Sequence, residues 1–397
     1  MKLPDRLGHL TYCLNIHATQ THAEVMAALT GPAAQVKARV SPGDAFAVGL
    51  RFSGEALDEL ADPAKRAALK AALDKHDFRA VTVNGFPYGR FHGTRVKEEV
   101  YQPDWRSEDR VRYTNALADL MTHLAPEGET VSLSTVPGTF KPLAVGAEAL
   151  IADNILRSVA HLAALEARTG VTVALAIEPE PACLLETIDE SVAFFIDHLF
   201  SPAAAARVAG LTELPLEDVA AALPRHLGLC YDVCHAAVEY EDPAGSIAAL
   251  RDAGIPIHKL QLSAALLIPQ ISAATRDALA AYAEPTYLHQ VMRRTREGLK
   301  SEVDLPDALA LGASADGEEW RVHFHVPVFI RELGAFSSTR DFLASILALH
   351  RQDPISPHLE IETYTWDLLP ETLRGATVAE DIAREFAWVL GELTRCT

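Results

Sequence analysis

Positive charge is in short supply. The 397 residues include 54 acidic and 35 basic side chains, a formal net charge of −19. Such a chain repels phosphate backbones and anionic headgroups, which makes nucleic acid and membrane surfaces poor partners. Long apolar runs are also missing. None approaches the ~18 residues that a membrane helix needs. The opening MKLPDRLGHLTYCLNIH lacks the apolar stretch and small-residue cleavage site of a secretion signal. These absences predict no membrane insertion and a cytoplasmic location. Cysteine is sparse: Cys13, Cys183, Cys230, Cys234 and Cys396 make an odd number, without zinc-ribbon spacing. Free, mostly buried thiols in a reducing compartment are expected. No low-complexity block or charge run interrupts the chain. The segment CLNIHATQTH, which follows the first apolar stretch, contains no glycine. That weighs against the phosphate turn of an open dinucleotide-binding sheet.

What is present is alternation. Short runs rich in β-branched and aliphatic residues occur at 11–17, 46–53, 79–86, 130–136, 171–179, 227–233, 257–263, 322–329 and 358–366. They are nearly continuous, as strands covered on both faces are. Helical patterns separate them. One runs over 54–76. Another, 146–169, sets Leu150, Ile151, Ile155, Val159 and Leu162 on one stripe and stops at Gly170. Asp242-Pro243 opens a further helix, and Thr377 to Leu393 forms the last. This β–α rhythm implies a parallel sheet with right-handed crossovers. Nine strand candidates are one more than an eight-stranded barrel requires. The expected architecture is therefore a single (β/α)8 barrel domain over residues 1–397. A mostly helical insertion at about 264–330 follows the seventh strand, and VHFHVPVF is either a short extra strand before the eighth or an extended approach back to the barrel mouth.

Polar residues mark the strand ends: His17, Arg51, Asn84, Ser134, Glu178, Asp232, Gln261 and Glu362, in chain order. Active sites of α/β barrels are built from residues at these ends. Glu178 and Asp232 both terminate apolar runs, and a buried carboxylate without a partner is costly. Arg51, Lys141 or Lys259 are one kind of partner; a shared divalent cation is the other. Glu360 and Glu362 share a strand face, with Glu362 nearer the strand end. His323 and His325 also share a face, and His325 is the preferred ligand. Glu178, Asp232, His325 and Glu362 thus form the expected ligand set for one ion of Mn²⁺, Mg²⁺, Co²⁺ or Zn²⁺. The long segment after the third strand, NGFPYGRFHGTRVKEEVYQPDW, reads as a substrate lid. Phe86, Tyr88, Phe91 and Trp105 offer flat walls, and Asn84 and His92 offer hydrogen bonds.

Glu at strand five, Asp-x-x-His at strand six and Glu at strand eight resemble the xylose isomerase-like TIM-barrel superfamily, which includes sugar isomerases, ketose 3-epimerases, inosose dehydratases and endonuclease IV. HLTYCLNIH, VTVNGFPYGRFHG, VKEEVYQPDW, LSTVPGTFK, CYDVCH, KLQLSAAL, HFHVPVF and HLEIETYTWDLLP look more specifically like EboE-type metabolite traffic proteins, across residues 9 to 370. The resemblance implies Glu178 and Glu362 as base and acid, Asp232 as a further metal ligand, and His235 as the residue that orients a substrate hydroxyl. It also sets His17 and Gln261 beside the substrate. Two departures stand out. Gln261 occupies the position where ketose epimerases carry a ligand His, and His17-Ala18-Thr19-Gln20 replaces His-Pro-Gly-Glu.

Three functions follow as expectations. The first is a metal-dependent isomerase or epimerase of a sugar, polyol or cyclitol that works by enediolate-type proton transfer. The second is a non-catalytic metabolite-binding or handover protein, which the traffic resemblance implies. The third, an endonuclease IV-like phosphoesterase, conflicts with the net charge. An oligomer is compatible with all three.

Overall fold

A computed structural model describes residues 1–395 apart from Thr94, Glu213, Glu371 and Thr372. Thr94 of the expected lid and Cys396 therefore lie outside the described residues; the other four cysteines are buried free thiols. Eight parallel strands alternate with helices. They are β1 (His9–Tyr12), β2 (Phe46–Arg51), β3 (Phe78–Asn84), β4 (Val131–Thr135), β5 (Val173–Ile177), β6 (Leu227–Asp232) and β7 (Ile257–Leu262), with the last, β14 (His358–Ile361), far downstream. The hydrogen-bonded order is β1-β14-β7-β6-β5-β4-β3-β2. A single parallel bridge between Cys13 and Gly49 joins the two edges, so the barrel is nearly closed.

Local chemistry explains the helices between them. Ser53 and Asp62 cap helices Gly54–Glu59 and Pro63–Lys75, which divide the expected 54–76 segment in two. Gly170 ends helix Glu148–Thr169 in the left-handed conformation, as its position predicts. That helix buries Ile151, Ile155, Val159 and Leu162, but Leu150 sits on its solvent side. Among the described residues, no single helix is long and apolar enough to cross a membrane.

The insertion differs from expectation. Six strands, not mainly helices, lie between β7 and β14: β8 (Leu266–Ile268), β9 (Val291–Thr295), β10 (Gly298–Glu302), β11 (Glu319–Val322), β12 (Glu332–Leu333) and β13 (Phe336–Ser338). They form one antiparallel sheet of order β10-β9-β11-β8-β13-β12. The helices there, Ala273–Leu279 and Leu305–Ala310, are short. Polar pairing holds much of this sheet together. Arg293 bridges Glu302 and Glu318, each at 2.8 Å, and Arg294 and Arg321 stack on Tyr240. Strands stitched by charge and half exposed lack the apolar runs that announce barrel strands. Of the two readings of VHFHVPVF, the extra strand is corrected and the extended approach to the barrel agrees: β11 ends at Val322, and 323–328 runs without regular structure. Its backbone turns back to the barrel, where Val326 donates to the Ala264 carbonyl at 2.8 Å.

The last helix, Val378–Thr394, fastens this return. Glu385 accepts from Thr363 Oγ1 at 2.6 Å and from the Val328 amide at 3.2 Å. Burial pushes its carboxyl up to about 8. An acid whose folded pKa is raised contributes fully below its unfolded value and loses that contribution as pH climbs through the folded one. Glu385→Gln keeps an oxygen acceptor for both donors without the charge. It should stabilise the protein by on the order of 1–3 kcal/mol at pH 8 and by nothing at pH 4. Urea titrations at both pH values check this.

Candidate active site

The C-terminal ends of the strands bring the expected carboxylates together. Glu178 follows β5 and its amide donates to the Thr135 carbonyl of β4. Asp232 ends β6 and caps helix Val233–Val238: its Oδ1 accepts from the His235 amide at 3.1 Å and from Ser263 Oγ at 2.7 Å. Glu362 follows β14 and accepts from the Asn15 and Asn84 amides, the latter at 3.1 Å. One oxygen from each of Glu178, Asp232 and Glu362 lies within 4.8 Å of the others, and all three side chains are buried.

The basic residues are occupied elsewhere. Lys259 pairs with Glu360 at 2.9 Å in the barrel interior. Arg51 donates to carbonyl oxygens of Thr19, Pro87 and Gly89. Lys141 binds Glu186 and Glu190. Glu178 Oε2 and Asp232 Oδ2 have no hydrogen-bond partner among the described residues. Burial, then the charges of Glu362 and Asp232, push Glu178 well above the usual carboxylate range. Burial and Asp232 raise Glu362 to about 8.

An imidazole cluster adjoins the carboxylates. His235 donates from Nδ1 to the Pro179 carbonyl at 2.8 Å, His323 to Gln290 Oε1 at 2.7 Å, and His325 to the Glu362 carbonyl. With each Nδ1 carrying the proton, three Nε2 lone pairs face inward. The His323 nitrogen lies 3.2 Å from that of His235 and 3.3 Å from that of His325. Acceptors cannot satisfy one another, so this cluster needs a cation or a protic group between its members. Burial first, then the neighbouring imidazoles, hold His323 well below the usual range; burial brings His325 to about 4. Asp232, His235 and His325 also converge within 4.8 Å. Unpartnered carboxylate oxygens beside neutral imidazoles fit a divalent cation.

Glu178, Glu362, His235, His323 and His325 form the floor of a cleft whose empty volume, its open mouth included, is about 530 Å³. Of the other sequence candidates, Asn84, Phe86, Phe91 and His235 line it. Gln261 lies fully buried beside Asp232 and Glu360 in the strand register, and both its amide atoms lack partners. His92 sits behind the wall, bonded to the Asn15 carbonyl and, at 2.8 Å, to the Tyr287 hydroxyl. Three residues fall elsewhere. The first strand stops at Tyr12 and Leu14–Ile16 make a tight turn, so Asn15 reaches the floor while His17 contacts the Tyr12 hydroxyl at 3.3 Å. Tyr88 packs edge-on to Tyr113 at 5.0 Å, outside the cleft. Trp105 is wholly buried in the core.

Several lining residues were not singled out from the sequence. Asn15, Tyr287, Leu288 and Tyr364 reach the cleft from turns and from the inserted segment, where no pattern pointed to it. Glu180 had a signal, since it repeats the Glu-Pro of Glu178 two residues on. It accepts from Tyr101 at 2.8 Å and Gln290 at 3.1 Å.

No family model matches this sequence, and no curated protein sequence matches it. Solved structures do. A xylose isomerase-like TIM barrel protein from Mycobacterium smegmatis, in complex with magnesium, superposes with a TM-score of 0.50 at 12% identity, over 98% of this chain and 96% of the other. The IolI protein with a zinc atom is similar at a TM-score of 0.44 and 11% identity, over 97% of each chain. A D-tagatose 3-epimerase-like protein gives 0.39 and 13%, over 64% of this chain and 75% of that one. The first of these likenesses shows a shared fold, a (β/α)8 barrel like that of a xylose isomerase-like TIM barrel protein.

Proposed function

We propose that this protein catalyses metal-dependent proton transfer at a carbon next to a carbonyl, as an isomerase or epimerase of a hydroxylated metabolite of the sugar, polyol or cyclitol kind. The observation that carries this reading is the buried trio Glu178, Asp232 and Glu362, in which Glu178 Oε2 and Asp232 Oδ2 have no hydrogen-bond partner among the described residues. Glu178, Asp232 and Glu362, with His325, are the residues that would hold a divalent cation, whose Lewis acidity polarises a substrate carbonyl when it is bound. The chain's own groups do the rest. Glu178 stands on the cleft floor as the base. Glu362, held by Asn15 and Asn84, serves as the acid. His235 orients a substrate hydroxyl, and Phe86 covers the carbon face.

The test is solvent-deuterium exchange into a panel of sugars and cyclitols by the Mn²⁺-loaded protein. Exchange that falls at least ~100-fold in Glu178→Gln is expected. Absence of exchange across the panel overturns the catalytic reading.

A second reading is binding and handover without turnover, as the likeness to metabolite traffic proteins implies. Gln261, an amide where the epimerases carry a ligand imidazole, favours it. Tight binding of a panel member without exchange is its signature.

A further inference from the structure

The cleft has two unlike halves. Its floor is acidic and imidazole-rich, whereas its walls are apolar. Phe86, Phe91, Val96 and Val100 come from the segment after β3, Tyr287 and Leu288 from the inserted segment. Tyr364, after β14, completes an aromatic corner: the rings of Phe91, Tyr287 and Tyr364 lie 5.0 to 5.2 Å apart. The Tyr287 hydroxyl is already spent on His92, so the ring is what that residue contributes. The two wall segments are tied to each other, because the amides of Val96 and Lys97 both donate to the Thr286 carbonyl. The apolar wall is therefore a built feature and not a chance meeting of loops.

Cations for an anionic substrate group are absent from the lining among the described residues, with one exception. That exception, Lys97, is held by Asp304 at 2.6 Å and by the Glu284 carbonyl. Arg90 and Arg95 are exposed on the far side of the same segment. A phosphate or carboxylate in the outer part of the cleft meets no free positive charge among the described residues. A free sugar, with hydroxyls on every carbon, leaves most of its outer hydroxyls against rings and aliphatic chains, where the Tyr364 hydroxyl is the hydrogen-bonding group of the aromatic corner.

We infer that the cleft takes an uncharged hydroxy-carbonyl compound that bears an apolar appendage the size of an aromatic ring, in preference to free or phosphorylated sugars. This rests on the hydroxy-carbonyl reading of the floor. The head meets Glu178, Glu362 and His235, and the appendage lies against Phe91, Val100, Tyr287 and Tyr364.

Two ketones with the same head separate the two claims: hydroxyacetone and 1-hydroxy-4-phenylbutan-2-one, titrated calorimetrically into Mn²⁺-loaded protein beside fructose and dihydroxyacetone phosphate. The phenyl compound is expected to bind at least ~10-fold tighter than hydroxyacetone, since burial of each CH₂ is favourable by about 0.8 kcal/mol. Val100→Asp and Phe91→Ser should each shrink that gap several-fold while hydroxyacetone affinity and metal content stay as in the parent. Retained hydroxyacetone binding also shows that each variant is folded. Equal binding of the two ketones, or tighter binding of fructose or the phosphate ester, overturns the appendage and leaves the floor reading intact. If neither ketone binds, the hydroxy-carbonyl reading fails and this inference falls with it.

Discussion

Asp232→Asn leaves the barrel folded and unable to retain a stoichiometric divalent cation. Asp232 Oδ1 is engaged by Ser263 and by the His235 amide, and an Asn oxygen can accept from both. Strand end and helix cap should therefore survive. What changes is Oδ2, the oxygen without a protein partner, which becomes an NH₂ that cannot ligate. The carboxylate trio also loses a charge. Affinity should fall on the order of 100-fold or more, because even removal of a group that only orients a ligand costs 10- to 100-fold. Glu362→Gln should act alike. Elemental mass spectrometry, on protein purified without chelator and then incubated in turn with Mn²⁺, Zn²⁺, Co²⁺ and Mg²⁺, decides it. A parent that holds no metal after incubation sinks the metal reading, and a variant that keeps its metal sinks the ligand assignment.

The same substitution at Glu362 should have the opposite effect on stability. In chelator the folded protein ionises Glu362 only near pH 8, so its ionisation costs stability as pH rises from about 4.5 to 8. Gln escapes that cost, so the melting temperature of Glu362→Gln should exceed the parent's above pH 7 and match it at pH 4. Better stability and lost metal in one variant mark a site selected for binding against folding.

The barrel was legible because its strands are apolar on both faces and their polar ends fall in chain order. Glu178, Asp232 and Glu362 announce themselves by ending such runs. The inserted sheet was hidden by its own means of support, the Arg293 bridges and the Tyr240 stack, since charge pairing leaves no apolar period to read. The cleft wall after β3 was half legible. NGFPYG suggested aromatic walls, and Phe86 and Phe91 are on the cleft, but nothing in one dimension reveals that Tyr88 turns to Tyr113 or that Trp105 is wholly buried. His17 illustrates a third limit. A strand that stops at Tyr12 and turns exchanges His17 for Asn15, and two residues of error at a strand end alter which side chain reaches the cleft.

Lys259→Met should be the most destabilising single change in the barrel. Lys259 and Glu360 are both fully buried and pair at 2.9 Å, one layer below the carboxylate floor. Glu360 also accepts from Thr11 Oγ1 at 3.0 Å, and its other neighbour is Gly49, where a Cβ would lie 1.5 Å from Glu360 Oε2. The barrel is thus shaped around this carboxylate, and the one edge-closing bridge, Cys13 to Gly49, runs beside it. Removing the ammonium strands a buried charge under three other carboxylates, which costs about 3–5 kcal/mol. Lys259 also draws Glu178 and Glu362 down through space, so its loss pushes both further up and weakens metal retention at pH 7. Glu360→Leu strands the ammonium and should cost a similar amount. The double change Lys259→Met with Glu360→Leu removes both charges and should recover most of the loss, since a buried pair is frequently no more stabilising than apolar residues of its size. Urea unfolding of the two singles and the double gives the coupling energy. Additive losses, or single losses below ~1 kcal/mol, would show that water reaches this layer and that the pair is not the buried support of the floor above it.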